Sequence, residues 1–301
     1  MKPLACCLFL ILCGSSLVAQ QVVFEAITPY HSIKVVDRLG MRVLSFDGTT
    51  ETRMSLRDPL SGHFEYTEYF HMAWLWNLQI SNVLMVGLGG ASTQRSFEHY
   101  YPGVTVESVE IDPMVVMAAT EYFHFKKSEK QTVSTEDGRV FLRRTPRNYD
   151  AIFMDAYTES RYGSSLPQHL TTKEFFELAR ERLTPNGVLA YNVIGNLNGW
   201  RADLLGAMYK TLTNVFPHVY LFPAAESQNV VLIAPRSTFR ADYRILRSRA
   251  DLLIKQRRVT HPSFLTRLGS LRTNAPVTTA KAPLLTDDFA PVEGLMNGGT
   301  P

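Results

Sequence analysis

Four groups of residues have the types and spacing for chemistry on a nucleotide-like ligand. The stretch "VLMVGLGGASTQRSF" runs from four apolar residues into Gly87, Gly89 and Gly90. Glycines here let the backbone approach a ligand and turn sharply into a helix. The spacing is G-x-G-x-x-S, an incomplete dinucleotide fingerprint, and a tight strand–helix turn without a ligand would use the same residues. Glu110 lies 20 residues after Gly90. A carboxylate at that offset can accept two hydrogen bonds from a ribose diol; its plainer role is to finish a strand. Asp137, followed by Gly138, precedes an expected helix and either accepts from an adenine amino group or caps the helix. Asp155 ends the apolar run "AIFM". An acid there faces the crevice of an open α/β sheet and is costly to bury without a partner. Together these residues fit an adenosine-containing ligand with Asp155 near the reacting group.

Positioning them requires a parallel sheet whose strands all end on one side. From Asn82 the pattern alternates strands and helices: a strand at Val83 to Val86, a helix near Ala91 to Tyr100, a strand in "VTVESVEI", and a helix started by Asp112-Pro113. "YDAIFMDAY" reads as a buried strand. "TTKEFFELARERL" reads as an amphipathic helix with Thr171 and Glu174 at capping-box spacing, ended by Asn186-Gly187. "GVLAYNVIG" is the next strand, and "HVYLF" with "NVVLIA" suits a terminal hairpin. This is an α/β pattern with both sheet faces covered. Upstream, residues 22–60 read as antiparallel strands, with a turn at Leu39-Gly40 and another in "FDGTTETRMS". "EYTEYFHMAWLWNL" has helical spacing of aromatics and connects the two regions. In the tail, "YRILRSRADLLIKQRRVT" reads as an amphipathic helix with a solvated basic face.

The chain of 301 residues carries 31 basic and 28 acidic side chains, a net charge of +3, which leaves no nucleic-acid footprint. Residues 1–19, "MKPLACCLFLILCGSSLVA", have the layout of a secretory signal cleaved after Ala19. The apolar run is short for a span, which needs ~20 residues. Export to the periplasm or outside the cell is expected, with an uncleaved membrane anchor as the alternative and no other membrane-spanning segment. All 3 cysteines lie in this segment. The mature chain therefore has no disulfide, thiolate nucleophile or cysteine metal site. The histidines show no metal-ligand spacing, and no Ser–His–Asp triad is recognisable.

The order of these pieces resembles the spermidine synthase (polyamine aminopropyltransferase) family. "TPYHSIKVVD", "LSFDGTTE" and "FEYTEYFHM" match its N-terminal β domain. "VLMVGLGGAS", "VEID", "EDGRVFL" and "YDAIFMDAY" follow in family order. "LPQHLTTKEFFELARERLTPNGVLAYNVIG" and "LLTDDFAPVE" resemble a divergent branch often fused to transporter segments. The resemblance implies a Rossmann-like class I methyltransferase fold, with a mostly parallel seven-stranded sheet behind a small antiparallel β domain. The division would be 20–78 for the β domain and connecting helix, 79–240 for the catalytic domain and 241–301 for a C-terminal extension. It also implies transfer of an aminopropyl group from decarboxylated S-adenosylmethionine, a co-substrate and not a tightly bound cofactor, to a small amine such as putrescine. Glu110 would bind the ribose, Asp137 the adenine, Asp155 would be the acid of the catalytic loop, and Tyr66 and Glu68 would line the amine side. Family members are often dimers, so a homodimer is expected.

The sequence departs from the family at four places. Gly90 stands where the loop usually carries an aspartate that holds the aminopropyl ammonium. Thr158 stands at the usual second acid of the catalytic loop, with Glu159 beside it. His31 and Glu51 replace glutamines. The loop "FPAAESQN" has no clear match to a usual tyrosine. Two alternatives follow: a methyltransferase using S-adenosylmethionine itself, and a non-catalytic exported module that binds a polyamine or nucleoside.

Overall fold

The computed structural model describes residues 20–160 and 163–296, apart from the side chains of Glu159 and Ser160. The expected signal segment lies outside the described residues. Strands β1 (Gln21–Ile27), β2 (Ser32–Arg38), β3 (Met41–Phe46) and β4 (Thr49–Ser55) form an antiparallel sheet in sequential order. Its two inner hairpins use two-residue turns, Leu39-Gly40 and Asp47-Gly48, with positive φ at all four residues. That geometry matches the right-handed twist of the flanking strands. The buried face of Ile33, Val35, Leu44 and Met54 packs on Val115, Ala118 and Phe123.

The connecting segment Glu65–Leu75 is helical as its spacing predicts, but it is a 3-10 helix. Its aromatics are not confined to one stripe: Tyr69, Phe70, Met72, Ala73 and Leu75 are all fully buried. Burial on every side, with Glu65 also buried, replaces the amphipathic face on which the α-helical expectation rested.

The main sheet contains β5 (Asn82–Val86), β6 (Thr105–Glu110), β7 (Gln131–Thr135), β8 (Tyr149–Met154), β11 (Leu183–Ile194), β12 (Tyr220–Pro223) and β13 (Asn229–Pro235), while β9 (Thr158–Ser160) and β10 (Gly163–Ser165) form a small separate hairpin. The order is β12-β13-β11-β8-β5-β6-β7, with β13 antiparallel to both neighbours and the other pairings parallel. Helices α1 (Ser92–Tyr100), α2 (Pro113–Tyr122), α3 (Gly138–Arg144), α4 (Lys173–Glu181) and α5 (Ala202–Thr213) connect the strands. Alternate strand residues serve two cores. Leu84, Ile152 and Leu189 face α4 and α5, whereas Met85, Phe153 and Ala190 face the aromatics of the 3-10 helix. This is the α/β, mostly parallel seven-stranded fold expected from the sequence. The tail adds α6 (Tyr243–Lys255) and α7 (Phe264–Leu268) to the second core, and α8 (Val292–Met296) to the first. Among the described residues no helix is long and apolar enough to cross a membrane.

Two local expectations are corrected. The cap of α4 is Thr172, which accepts from the Phe175 amide; Thr171 donates to the Gln168 carbonyl, and Glu174 accepts from the Asp287 amide. A long-range partner has thus taken the carboxylate that a capping box would turn back on its own helix. Asn186-Gly187 does not end the helix, which stops at Glu181, but lies inside β11 where the pairing with β8 shifts register between Leu183 and Val188.

Candidate active site

The chain runs outward from β5 to β6 and β7, then returns to place β8 on the other side of β5. Ligands bind at such a reversal in an open α/β sheet. A cavity of about 260 Å³ opens there, at the carboxyl ends of β5, β6 and β8 and under the N-terminal sheet.

Gly87 follows β5 with φ of +99°, and an added Cβ would lie 2.1 Å from the Asp155 carbonyl oxygen. No L side chain fits either constraint, so the glycine loop and the strand end bearing Asp155 are in direct backbone contact. Gly89 also lines the cavity. Gly90 does not: its amide donates to Thr52 Oγ1 at 2.9 Å, and a Cβ would meet Thr52 Cγ2 at 2.5 Å. Beneath the loop, Arg95 donates to the carbonyls of Gly90 and Phe123. Burial lowers its guanidinium to about 10. This buried brace was not among the residues expected from sequence.

Glu110 is buried at the end of β6. Oε2 accepts from the Leu88 amide at 2.9 Å and Oε1 from the Asp112 amide at 3.1 Å. Burial pushes its carboxyl up, against those backbone bonds. Each carboxylate oxygen has a second lone pair, so both can still accept from a ligand. Asp112 caps α2 through the Met114 amide and accepts from Thr28 Oγ1 at 2.6 Å, tying the first sheet to this edge. Asp137 combines two roles. It caps α3 through the amides of Arg139 and Val140, and its other oxygen meets His169 Nε2 at 2.7 Å. The His169 contact holds the Asp137 carboxyl below its usual range, with burial opposing. Gly138 packs on Val86, where a Cβ would lie 2.5 Å from a methyl group.

Asp155 stands at the opposite end of the cavity. Oδ1 accepts from Asn192 Nδ2 at 2.9 Å, and Oδ2 from the Tyr66 hydroxyl at 3.3 Å. Its surface contacts the cavity, yet the group lies deep in the molecule. Burial therefore dominates and pushes the carboxyl up to about 6, with the two bonds opposing. A carboxylate in this range changes protonation near neutral pH and can both accept and release a proton. Asn192 is itself oriented by Asn229, while Tyr157 donates to the Asn192 carbonyl at 2.9 Å. Asn192 had no local sequence signal; its place at the end of the strand beside β8 was the available one.

Tyr66 thus reaches the acid, and Glu68 does not share its location. Glu68 pairs with Arg267 Nε at 2.6 Å and with His63 Nε2 at 3.0 Å, and it does not line the cavity. Its carboxyl is lowered to about 2 although burial, the largest influence, pulls the other way; the bonds to His63 and Arg267 together outweigh it. A 3-10 helix turns three residues per turn, so Tyr66 and Glu68 leave it in different directions. Glu51 and Thr158 line the cavity, and Glu51 accepts from Ser164 Oγ at 2.7 Å. His31 also lines it, stacked on Phe46 with ring centroids 4.4 Å apart. His71, by contrast, is a core residue, bonded to the Tyr101 and Ser96 hydroxyls.

Residues 63–225 match the family model of the spermine/spermidine synthase domain, more than half of the chain. The chain belongs to the spermine/spermidine synthase family. With the family comes the class, a polyamine aminopropyltransferase-like transferase. The polyamine aminopropyltransferase of Vibrio vulnificus is 28% identical over 278 residues, covering 90% of each chain. That of Chromobacterium violaceum is 30% identical over 224 residues, 73% of this chain and 82% of its own. The family's structural neighbourhood extends further. The eEF1A lysine and N-terminal methyltransferase of Xenopus laevis is 32% identical over half of this chain, although the match spans 22% of that longer protein. A probable spermidine synthase from Corynebacterium glutamicum superposes with a TM-score of 0.63 at 20% identity, over 75% of this chain and 86% of its own. Human methyltransferase-like protein 13, solved in complex with SAH, does so with 0.58 at 23% identity, over 65% and 94%. These superpositions establish the shared fold.

Proposed function

We propose that the cavity takes decarboxylated S-adenosylmethionine and a small amine such as putrescine, and that the protein transfers the aminopropyl group between them. The observation that carries this reading is Asp155. It is a half-buried acid, raised to about 6, lining the cavity within reach of Tyr66 and backed against the glycine loop. The family membership supports the reaction class. Glu110 would accept from the ribose hydroxyls and Asp137 would stand at the adenine edge. The amine nitrogen attacks the carbon attached to the sulfonium. A C–N bond forms and the C–S bond breaks. The electron pair returns to sulfur, which leaves as the neutral thioether methylthioadenosine. The amine loses a proton, and Asp155 accepts it. Tyr66 and Asn192 fix the carboxylate for that step, and the cavity holds the two reactants in line.

One observation favours a second reading. Gly90 is turned against Thr52, so the loop offers no carboxylate for an aminopropyl ammonium. Methyl transfer from S-adenosylmethionine to an amine would use the same Asp155 and the same nucleoside end. Incubating the protein with each donor and a mixture of amines, with products read by mass spectrometry, separates the two. Methylthioadenosine with a lengthened polyamine supports the first reading. S-adenosylhomocysteine moves the protein to the second. Neither nucleoside from either donor rejects both.

A further inference from the structure

The C-terminal run "LLTDDFAPVE" has no part in the chemistry above, yet its first aspartate is bonded to the wall of the cavity. Asp287 Oδ1 and Oδ2 accept from Arg139 Nη1 and Nη2 at 2.7 and 2.6 Å, a two-point fork. Oδ1 also accepts from Thr172 Oγ1 at 2.7 Å, the cap of α4. The Asp287 amide donates to Glu174, and the Leu285 carbonyl accepts from the Lys173 amide. The segment is therefore stitched to the first turn of α4 over several consecutive bonds.

Arg139 is the link to the cavity. It lies in the first turn of α3, directly after Asp137 and Gly138, and its side chain is only 10% exposed. The Nη1 that holds Asp287 also donates to the His169 carbonyl at 3.0 Å. Glu136, Asp137 and Gly138 form one wall at this end of the cavity and Pro167, His169 and Leu170 the next, the two touching where His169 Nε2 meets Asp137 Oδ2 at 2.7 Å. Arg139 bridges the two walls from behind, and Asp287 fixes the plane of its guanidinium. A planar fork held at two points has one orientation, whereas a guanidinium with one partner can swing. Both shifts reflect the pairing: Arg139 holds the Asp287 carboxyl below its usual range, and Asp287 raises the guanidinium.

We propose that Asp287 is a positioning residue for the nucleoside end of the cavity. Through Arg139 it sets the spacing between the Asp137–Gly138 wall and the Pro167–Leu170 wall, and with it the affinity for the adenosyl ligand. The inference rests on the adenosyl reading of the site.

The test is equilibrium binding of methylthioadenosine and S-adenosylhomocysteine by titration calorimetry, paired with thermal melting. The wild type is measured first. If it binds neither nucleoside, the adenosyl reading fails and this inference fails with it. If it binds one, Asp287→Asn should weaken that affinity about tenfold, the scale expected of a small displacement in a fitted site. Arg139→Lys keeps the charge but removes the fork, and should weaken binding in the same direction. Asp288→Asn, at the exposed neighbouring position, should bind as the wild type does. Melting temperatures should stay within about 3 °C of wild type, because the Asp287 side chain is 41% exposed and an asparagine keeps an oxygen that accepts from Arg139 and Thr172. Unchanged affinity in Asp287→Asn overturns the proposal. So does an affinity loss that appears only with a matching loss of melting temperature. If Asp287→Asn does not fold, Arg139→Lys decides on the same two readings.

Discussion

The two ends of the cavity hold their acids by different means. At one end, Glu110 and Asp137 accept chiefly from backbone amides, those of Leu88, Asp112, Arg139 and Val140, with His169 the one side-chain partner, on Asp137. Those amides are fixed as soon as β6 ends and α3 starts. At the other end, Asp155 accepts from two side chains, Asn192 and Tyr66, which arrive from β11 and from the 3-10 helix. Backbone donors cannot rotate away and belong to the fold itself. Side-chain donors can be exchanged singly. On the proposed reading, the contrast separates a part of the site that holds the nucleoside from a part that takes the proton.

The largest effect should come from Asp155→Asn. Turnover should fall about 10²–10⁴-fold, the range for a positioned acid–base group. Nucleoside affinity should change less than about threefold, since the other end is untouched; a parallel loss of both would erase the distinction between the ends. Glu110→Gln should give the mirror image. Two amides donate to opposite oxygens of Glu110, so a glutamine must present its NH2 to one of them. Nucleoside affinity should drop about 10- to 100-fold on titration, the cost of one unsatisfied buried donor pair. Turnover at saturating donor should fall far less.

The protonation of Asp155 gives a smaller and graded signal. Raised from 3.8 to about 6, the folded state binds this proton more tightly than the unfolded chain does. Ionisation of Asp155 therefore weakens the fold as pH rises from about 4 to about 6, and the penalty is constant above that. Relative to Asp155→Asn, the wild type should lose about 1–3 kcal/mol across this window in denaturant titrations. In the same window kcat/KM of the wild type should rise with pH. A wild type whose rate is flat from pH 5 to 8 would mean that Asp155 is not the proton acceptor.

The smallest effect belongs to Glu68, away from the cavity. Its carboxyl is lowered from 4.5 to about 2, so its stabilisation is complete above 4.5 and is lost as pH falls toward 2. Glu68→Gln should cost about 1 kcal/mol at pH 7, a partly buried pair discounted for solvent. It should leave nucleoside binding and turnover unchanged. A change in amine KM would return Glu68 to the acceptor side and blur the contrast.

What the sequence disclosed follows the same division. Glu110, Asp112 and Asp137 each accept from a backbone amide within three positions, so offset and capping rules find them; the bonds of Asp112 to Thr28 and of Asp137 to His169 are long-range and were not legible. The turns at Leu39-Gly40 and Asp47-Gly48 and the period of the buried strands are equally local. Asp155 was legible from its place after an apolar strand. Its partners were not. Asn192 lies 37 residues away and Tyr66 89, and only the strand order brings them together. Thr171 and Glu174 fit a local rule that lost to Asp287, 113 residues from Glu174. Glu68 was placed on the amine side by family resemblance alone, which carries no account of its long-range pair with Arg267.

The contact between Gly90 and Thr52 makes the two positions epistatic. An aspartate at 90 needs a Cβ where Thr52 Cγ2 already stands 2.5 Å away, with Phe123 Cδ1 at 3.0 Å. A lineage acquiring that acid would first have to remove the residue-52 methyl, as a serine does while keeping a hydroxyl for the Gly90 amide; a lineage discarding it could let residue 52 grow into the gap. Each order of substitution passes through a different intermediate. What residue 90 can become is thus constrained by a residue contributed from another sheet, 38 positions earlier in the chain.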